Sequence, residues 1–284
     1  INFVNIIMIN INEEYRALVA SILHSGVSKQ DRTGIGTKSL FGKQIVHDMN
    51  LGFPLLHIKK TSFDAAKTEL LWMLNGRTDL KYLEDNGVNY WRADYERSNR
   101  TDETLGPIYG YQWRNFNGVD QLHNLSKELK CNPNSRRLIV SAWNLSDMKE
   151  MVLPPCHYGF QVFIRDNKLD LIWTQRSADV ILGLPYDIAM YGLLLSILAL
   201  GHGYYPGKLI GQLGDCHIYN NHIDQAKTIM YRNPDIFNCP ELKIKGGGLR
   251  IAAKNKLSIP KLKQLSIDNY NHMGFIKAPL NVGK

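Results

Sequence analysis

The feature that most constrains this chain is an almost unbroken apolar run from Ile188 to Leu200. As a helix it would have no polar face, so it has to lie centrally, with other elements packed around it. The run is shorter than the ~18 residues of a membrane span, and Asp187 and His202 flank it. No other uncharged apolar stretch reaches that length, so no membrane partner is expected. A chain of 284 residues has ample material to bury such a helix. Hydrophobic residues at 44% and charged residues at 21% exclude a wholly disordered chain, a collagen-like repeat and a disulfide-framed miniprotein.

The elements around that helix can be read from periodicity. Tyr15, Leu18, Val19, Ile22 and Leu23 recur at helical spacing, with Gly26 placed to end the helix. The segment QDRTGIGTKS reads as a loop leading into strands near 38–50. Thr61 to Gly76 reads as a second helix with Phe63, Ala66, Leu70, Met73 and Leu74 on its apolar side. Residues 85–118 show no clear period, and so long a loop in a compact protein is usually functional or partner-covered. RLIVSAW is a short strand, and YGFQVFIR and KLDLIWTQR flank a hairpin turn at Asp166-Asn167. A strand near 208–213, a helix near 221–232 and basic strands near 240–260 complete the chain. With no repeat, low-complexity tract or linker, the expected class is one α+β domain. Residues 1–11 are expected to be a disordered N-terminal extension. The start, INFVNIIMININEEY, lacks the basic region and cleavage site of a signal peptide, and residues 1–7 are given no role.

A net charge of +8 suits polyanions of several kinds: nucleic acid, phosphorylated metabolites or acidic cofactors. Cys131, Cys156, Cys216 and Cys239 are widely spaced with no CxxC pair, which signals reduced thiols in a cytosolic compartment and no metal site. Cys156, in Leu153-Pro154-Pro155-Cys156-His157, sits at an element boundary behind two stiffening prolines. It reads either as a nucleophile, if a nearby cation favours its thiolate, or as a buried structural cysteine. Arg32, Arg136-Arg137 and Arg176-Ser177 sit at loop or strand ends, where they are either surface charges or a phosphate-binding set. Glu69, in an apolar helical stretch, either reaches solvent or occupies a cleft as a general acid or base.

Seven segments together resemble the thymidylate synthase family: QDRTGIGT, TELLWMLNG, LGPIYGYQWR, NSRRLIVSAWN, LPPCHYGFQ, QRSADVILGLPYDIAMY and GDCHIYNNHIDQ. They occur in the family's order at about its spacing, from roughly residue 12 to residue 279. The resemblance implies a single catalytic domain over 12–284, with a mixed β-sheet packed with helices and forming a homodimer interface. It implies that Cys156 adds to C6 of a pyrimidine nucleotide, so that C5 attacks the one-carbon unit of 5,10-methylenetetrahydrofolate, the co-substrate. It assigns Arg32, Arg176 and Ser177 to the phosphate, and Arg136 and Arg137 to the partner subunit's phosphate site. Gln175 joins the substrate-binding set, and His217 and Tyr219 bind the sugar hydroxyl. Glu69 becomes the general acid/base, with Tyr109 and His157 lining the cleft. Asp179, Gly183 and Trp91 fall to the folate side. The enzyme is expected in the cytoplasm, that of the host if the protein is viral.

One position departs from the family. Where synthases acting on dUMP carry asparagine, this chain has Asp187. An asparagine amide accepts from uracil N3–H and donates to O4, whereas an ionised aspartate only accepts. Cytosine offers an amino donor at C4, so the expected substrate is dCMP; a protonated Asp187 would still accommodate dUMP. The chain also runs about two residues past the family's usual end, in Gly283-Lys284, which is expected to displace the terminal carboxylate. The segment Trp91-Arg92-Ala93-Asp94 also departs from the common bacterial pattern. Both changes point to a wetter site and to 5-hydroxymethyl-dCMP as product, while the indole of Trp91 argues for methylation by keeping water out. The alternatives are a dCMP methylase, an ordinary thymidylate synthase, or an inactive nucleic-acid-binding protein. Against the last, Ile244, Leu249 and Ile251 interrupt the lysine-rich stretch 243–263, so nucleic acid is not the expected partner.

Overall fold

The computed structural model describes residues 10–233, 237–252 and 255–281. Helix α1 (Ile11–Ser25) starts where the Asn10 side chain accepts from the Asn12 N–H at 2.9 Å. It buries Ile11, Tyr15, Leu18, Val19 and Ile22. Ile11 is therefore part of the core, and the expected extension loses its last residues to the domain.

Strands β1 (Val27–Lys29) and β2 (Thr37–Asp48) form a hairpin around the QDRTGIGT loop. In that loop Asp31 accepts hydrogen bonds from the Thr33 hydroxyl and the Gly36 N–H, each at 3.0 Å. Helix α2 (Phe63–Leu74), capped by Ser62, is buried on nearly every side. The aperiodic stretch that follows is not a bare loop. It starts at the last residue of α3 (Leu80–Asp85) and folds into α4 (Arg92–Glu96) and α5 (Gly110–Asn115), each too short to show a 3.6-residue period. Helix α6 (Gln121–Cys131), capped by Asp120, was not anticipated from the sequence.

Strands β3 (Ile139–Ser141), β4 (His157–Arg165) and β5 (Lys168–Asp179) follow. The β4–β5 turn places Asp166 and Asn167 at φ 48° and 59°, the left-handed pair of a tight hairpin. Helix α7 (Leu184–His202) contains the apolar run and crosses over to β6 (Tyr205–Tyr219), which is parallel to β5. At 19 residues, α7 is long and apolar enough for a membrane span, but it is mostly buried inside this domain, against β5, β6 and α2. Strand β6 is much longer than its apolar centre suggested. Helix α8 (Ile223–Tyr231) and the short strands β7 (Glu241–Ile244), β8 (Arg250–Ile251), β9 (Leu257–Ser258) and β10 (Leu265–Asp268) complete the fold.

The result is a mixed α+β fold with a six-stranded sheet in the order β1-β2-β6-β5-β4-β3. Register assigns one lateral row, Ile45, Gly211, Trp173 and Phe160, to the inner face under the helices. Gly211 is required there, because a Cβ would sit 2.5 Å from the Trp173 ring. The next row, Val46, Ile210, Ile172 and Gln161, lies on the opposite face. Within β4, Phe163 on that face is 53% exposed.

Candidate active site

A cavity of about 590 Å³ opens where the parallel strands β5 and β6 end, beside the first turn of α7. Strand ends leave their last side chains unpaired by neighbours, so residues from several elements converge there. The cavity is lined from α2 (Glu69), the turns before α4 and α5 (Tyr90, Trp91, Tyr109), and the start of β4 (Cys156, His157). The end of β5 adds Gln175, Arg176, Ser177 and Asp179; α7 adds Asp187, preceded by Gly183; β6 adds His217 and Tyr219. Arg32 enters from the β1–β2 loop, and Ala278, Leu280 and Asn281 approach from the C-terminal segment.

A break in the β4–β5 register between His157 and Gly159 brings Cys156 to the rim. The thiol is half-buried, and the Cys156 N–H donates to the Tyr109 hydroxyl at 2.9 Å. Arg176 Nη2 lies 3.9 Å from Cys156 Sγ. Burial pushes the Cys156 thiol up, and the Arg176 charge opposes that shift. The guanidinium is itself anchored, with Nε donating to the Pro155 carbonyl at 3.0 Å and Nη2 to that of Pro154 at 2.9 Å. The two prolines thus stiffen the approach and also hold the cation that favours the thiolate.

Tyr109 is held under strain. Its φ of 31° is unusual for a residue with a side chain. The next residue, Gly110, permits this arrangement, since a Cβ there would meet the Met73 carbonyl oxygen at 2.2 Å. Close contact of α5 with α2 thereby fixes the Tyr109 ring against His157, with centroids 4.4 Å apart.

Glu69 is buried on α2, with Trp91 Nε1 donating to Oε1 at 2.7 Å and the Tyr90 hydroxyl to Oε2 at 2.5 Å. Burial pushes its carboxyl up, against both hydrogen bonds. Asp187 is pushed up to about 7, again by burial, while Gln175 Nε2 donates to its Oδ2 at 2.8 Å and opposes the shift. Burial brings His157 down to about 3, and its Nδ1 meets the Tyr191 hydroxyl at 2.8 Å. The ring is neutral at physiological pH, so its Nε2, 3.7 Å from Asp187 Oδ1, forms no ion pair.

Asp179 Oδ1 accepts from the Ile181 and Leu182 N–H groups, tying the β5–α7 turn together, and the Gly183 N–H donates to the Asp179 carbonyl at 3.0 Å. His217 Nδ1 lies 3.4 Å from Asp215, which also accepts from Ser39 at 2.6 Å and from Lys29 at 3.0 Å. The His217 hydrogen bond is the main cause holding the Asp215 carboxyl low.

Arg136 and Arg137 are the exceptions among the expected site residues. They are exposed in the loop before β3 and do not line the cavity of this chain. Sequence reasoning missed Tyr90, Lys29 and Asp215, whose roles arise only from contacts between distant elements. Asp94 was noted only as a departure from pattern; it also lines the cavity, paired with Arg97. Gly283-Lys284 lie outside the described residues.

A thiol beside a fixed guanidinium, two buried carboxyls and a basic rim define a class of site: nucleophilic group transfer on a small anionic molecule. The comparisons narrow that class. The family profile described as thymidylate synthase matches residues 13–282, and the chain belongs to this family. Thymidylate synthases of Francisella tularensis subsp. holarctica are similar to it. Those of strains FTNF002-00 / FTA, OSU18 and LVS are each 43% identical over 284 residues, spanning 95% of this chain and 99% of their own length. The family transfers one-carbon units to C5 of pyrimidine nucleotides, with methylenetetrahydrofolate as co-substrate.

Proposed function

We propose that this chain converts dCMP to 5-hydroxymethyl-dCMP. The observation that carries the substrate choice is Asp187, largely buried in the cavity wall, with Gln175 donating to one of its oxygens. When ionised, it accepts from the cytosine amino group and from a proton on N3, but meets uracil O4 lone pair against lone pair. A buried mismatch of that kind costs roughly 1–3 kcal/mol, more when charged.

The Cys156 thiolate, held by Arg176, forms an S–C6 bond. This breaks the ring's conjugation and puts the electron pair on C5. Methylenetetrahydrofolate supplies the one-carbon unit that C5 attacks. The cavity suits such a partner: Leu182, Leu280 and the Trp91 indole all contribute apolar wall, and Asp179 offers an acceptor. Glu69 exchanges protons with the base and with water. Loss of the C5 proton then breaks the bond between the one-carbon unit and the folate nitrogen, so that tetrahydrofolate leaves and an exocyclic methylene forms on C5. In the hydroxymethyl outcome water adds to that methylene carbon, and the electron pair returned to C5 re-forms C5=C6 and expels the Cys156 sulfur. Arg32, Arg176 and Ser177 take the phosphate, and His217 and Tyr219 the sugar. Arg136 and Arg137 complete the partner subunit's phosphate site in a homodimer joined through the outer sheet face, where Val46, Ile210 and Ile172 form an apolar row.

A second reading is favoured by a specific observation. With a carboxyl titrating near 7, Asp187 is half neutral at physiological pH and can then donate to uracil O4. The 43%-identical relatives carry the name thymidylate synthase, in keeping with dTMP as the product. Mass spectrometry of the products from parallel incubations with dCMP or dUMP and methylenetetrahydrofolate tests both readings. Hydroxymethyl-dCMP is expected. Methyl-dCMP would overturn the water-addition step alone, and thymidylate made only from dUMP would overturn the substrate assignment.

A further inference from the structure

Tyr90 is a partly buried titratable group in the cavity wall that the mechanism above does not use. It precedes Trp91 directly, yet both side chains reach the same carboxylate, one on each oxygen of Glu69. Adjacent residues can do this because they lie in the turn entering α4, where successive side chains need not diverge as they do in a strand. The phenol oxygen is the closer of the two donors, at 2.5 Å. Its ring also stands 6.2 Å from that of Tyr186, the neighbour of Asp187.

We propose that Tyr90 is a positioning residue for Glu69: its hydroxyl fixes the second carboxylate oxygen, so that proton transfer proceeds from one defined geometry. With Trp91 alone, the carboxylate could rotate about its terminal torsion, and Oε2 would need a water in the Tyr90 position. With both donors present, each oxygen has a fixed partner. When Glu69 takes a proton on Oε2, the phenol turns from donor to acceptor, so the same oxygen serves both states without rearrangement of the backbone. The hydrogen bond also favours the ionised carboxylate against burial. The other titratable groups that interact with the Glu69 charge are Tyr109 ahead of α5, and Tyr186 and Asp187 on α7. Tyr90 is the one of these hydrogen-bonded to Glu69.

This inference rests on Glu69 as the proton-transfer group, and the test separates the two. In Tyr90→Phe, the acid limb of the kcat–pH profile should move up by about one unit, so kcat at a fixed pH on that limb should fall about tenfold, since one pH unit is a tenfold change in ionised fraction. The nucleotide KM and equilibrium binding of dCMP and dUMP should be unchanged. A wild-type profile and kcat in Tyr90→Phe, alongside an inactive Glu69→Gln, would overturn the Tyr90 role and leave the Glu69 reading standing. Full activity in Glu69→Gln would overturn both. Should Tyr90→Phe fail to fold, the infrared difference between wild type and Glu69→Gln decides. A carboxyl signal displaced by hydrogen bonding is expected, and a band at the position of a free carboxylic C=O would overturn the proposal.

Discussion

Arg176 places its guanidinium 3.9 Å from Cys156 Sγ while donating to the carbonyls of Pro154 and Pro155, so the cation and the thiol are held by the same turn. The fork geometry matters, because a lysine ammonium cannot span two carbonyls and still face the sulfur. In Arg176→Lys, the Cys156 thiol should rise further above its already raised value. The rate of iodoacetamide alkylation should then fall several-fold at pH 8 and recover at higher pH. An unchanged alkylation profile would show that the guanidinium does not set the thiolate population.

Cys156→Ser should lower kcat by at least ~10³-fold, since a serine hydroxyl without an adjacent base is a far weaker nucleophile. Nucleotide binding, carried by the arginines and Asp187, should stay within about threefold by equilibrium dialysis. Retained turnover would exclude covalent addition at C6.

The carboxyl of Asp187 titrates near 7, so the preference between bases should depend on pH. Below that value the group is neutral and can donate to uracil O4; above it the group is ionised and only accepts. The ratio of kcat/KM for dCMP over dUMP should therefore rise from pH 6 to pH 8. In Asp187→Asn it should invert in favour of dUMP and lose this pH dependence. A flat ratio in the wild type would mean that Asp187 does not read position 4 of the ring.

The same residue should cost stability. A buried carboxyl raised from 3.8 to about 7 binds its proton more tightly in the folded chain than in the unfolded one. Its stabilising contribution is present below pH 4 and is lost as the pH climbs toward 7, by on the order of 4 kcal/mol. Replacing it with asparagine should raise the Tm by several degrees at pH 8 and by little at pH 4. Equal shifts at both values would refute the burial argument. A gain confined to pH 8 would make the wild-type carboxylate a case of stability given up for specificity.

Much of the architecture is decided by local pattern. The apolar run at 188–200 forces a central helix, the alternation on either side of Asp166-Asn167 forces a hairpin, and the spacing of Tyr15 to Ile22 forces α1. Cys156 and Glu69 were legible as chemically capable residues in unusual surroundings, whereas Asp187 stood out only as a departure from the family's pattern. Other features depend on distances along the chain that periodicity cannot reach. The clamp of Tyr90 and Trp91 on Glu69 joins residues 21 and 22 positions apart, and the bonds from Arg176 to the Pro154 and Pro155 carbonyls join residues 22 and 21 apart. Helices α3, α4 and α5 are one or two turns long, so tertiary packing rather than intrinsic propensity stabilises them. Sequence alone determined which side chains could act. Tertiary structure decided which oxygen of Glu69 faces which donor and that Asp187 sits near its midpoint at neutral pH, because burial and hydrogen bonding exist only once the elements have closed around them.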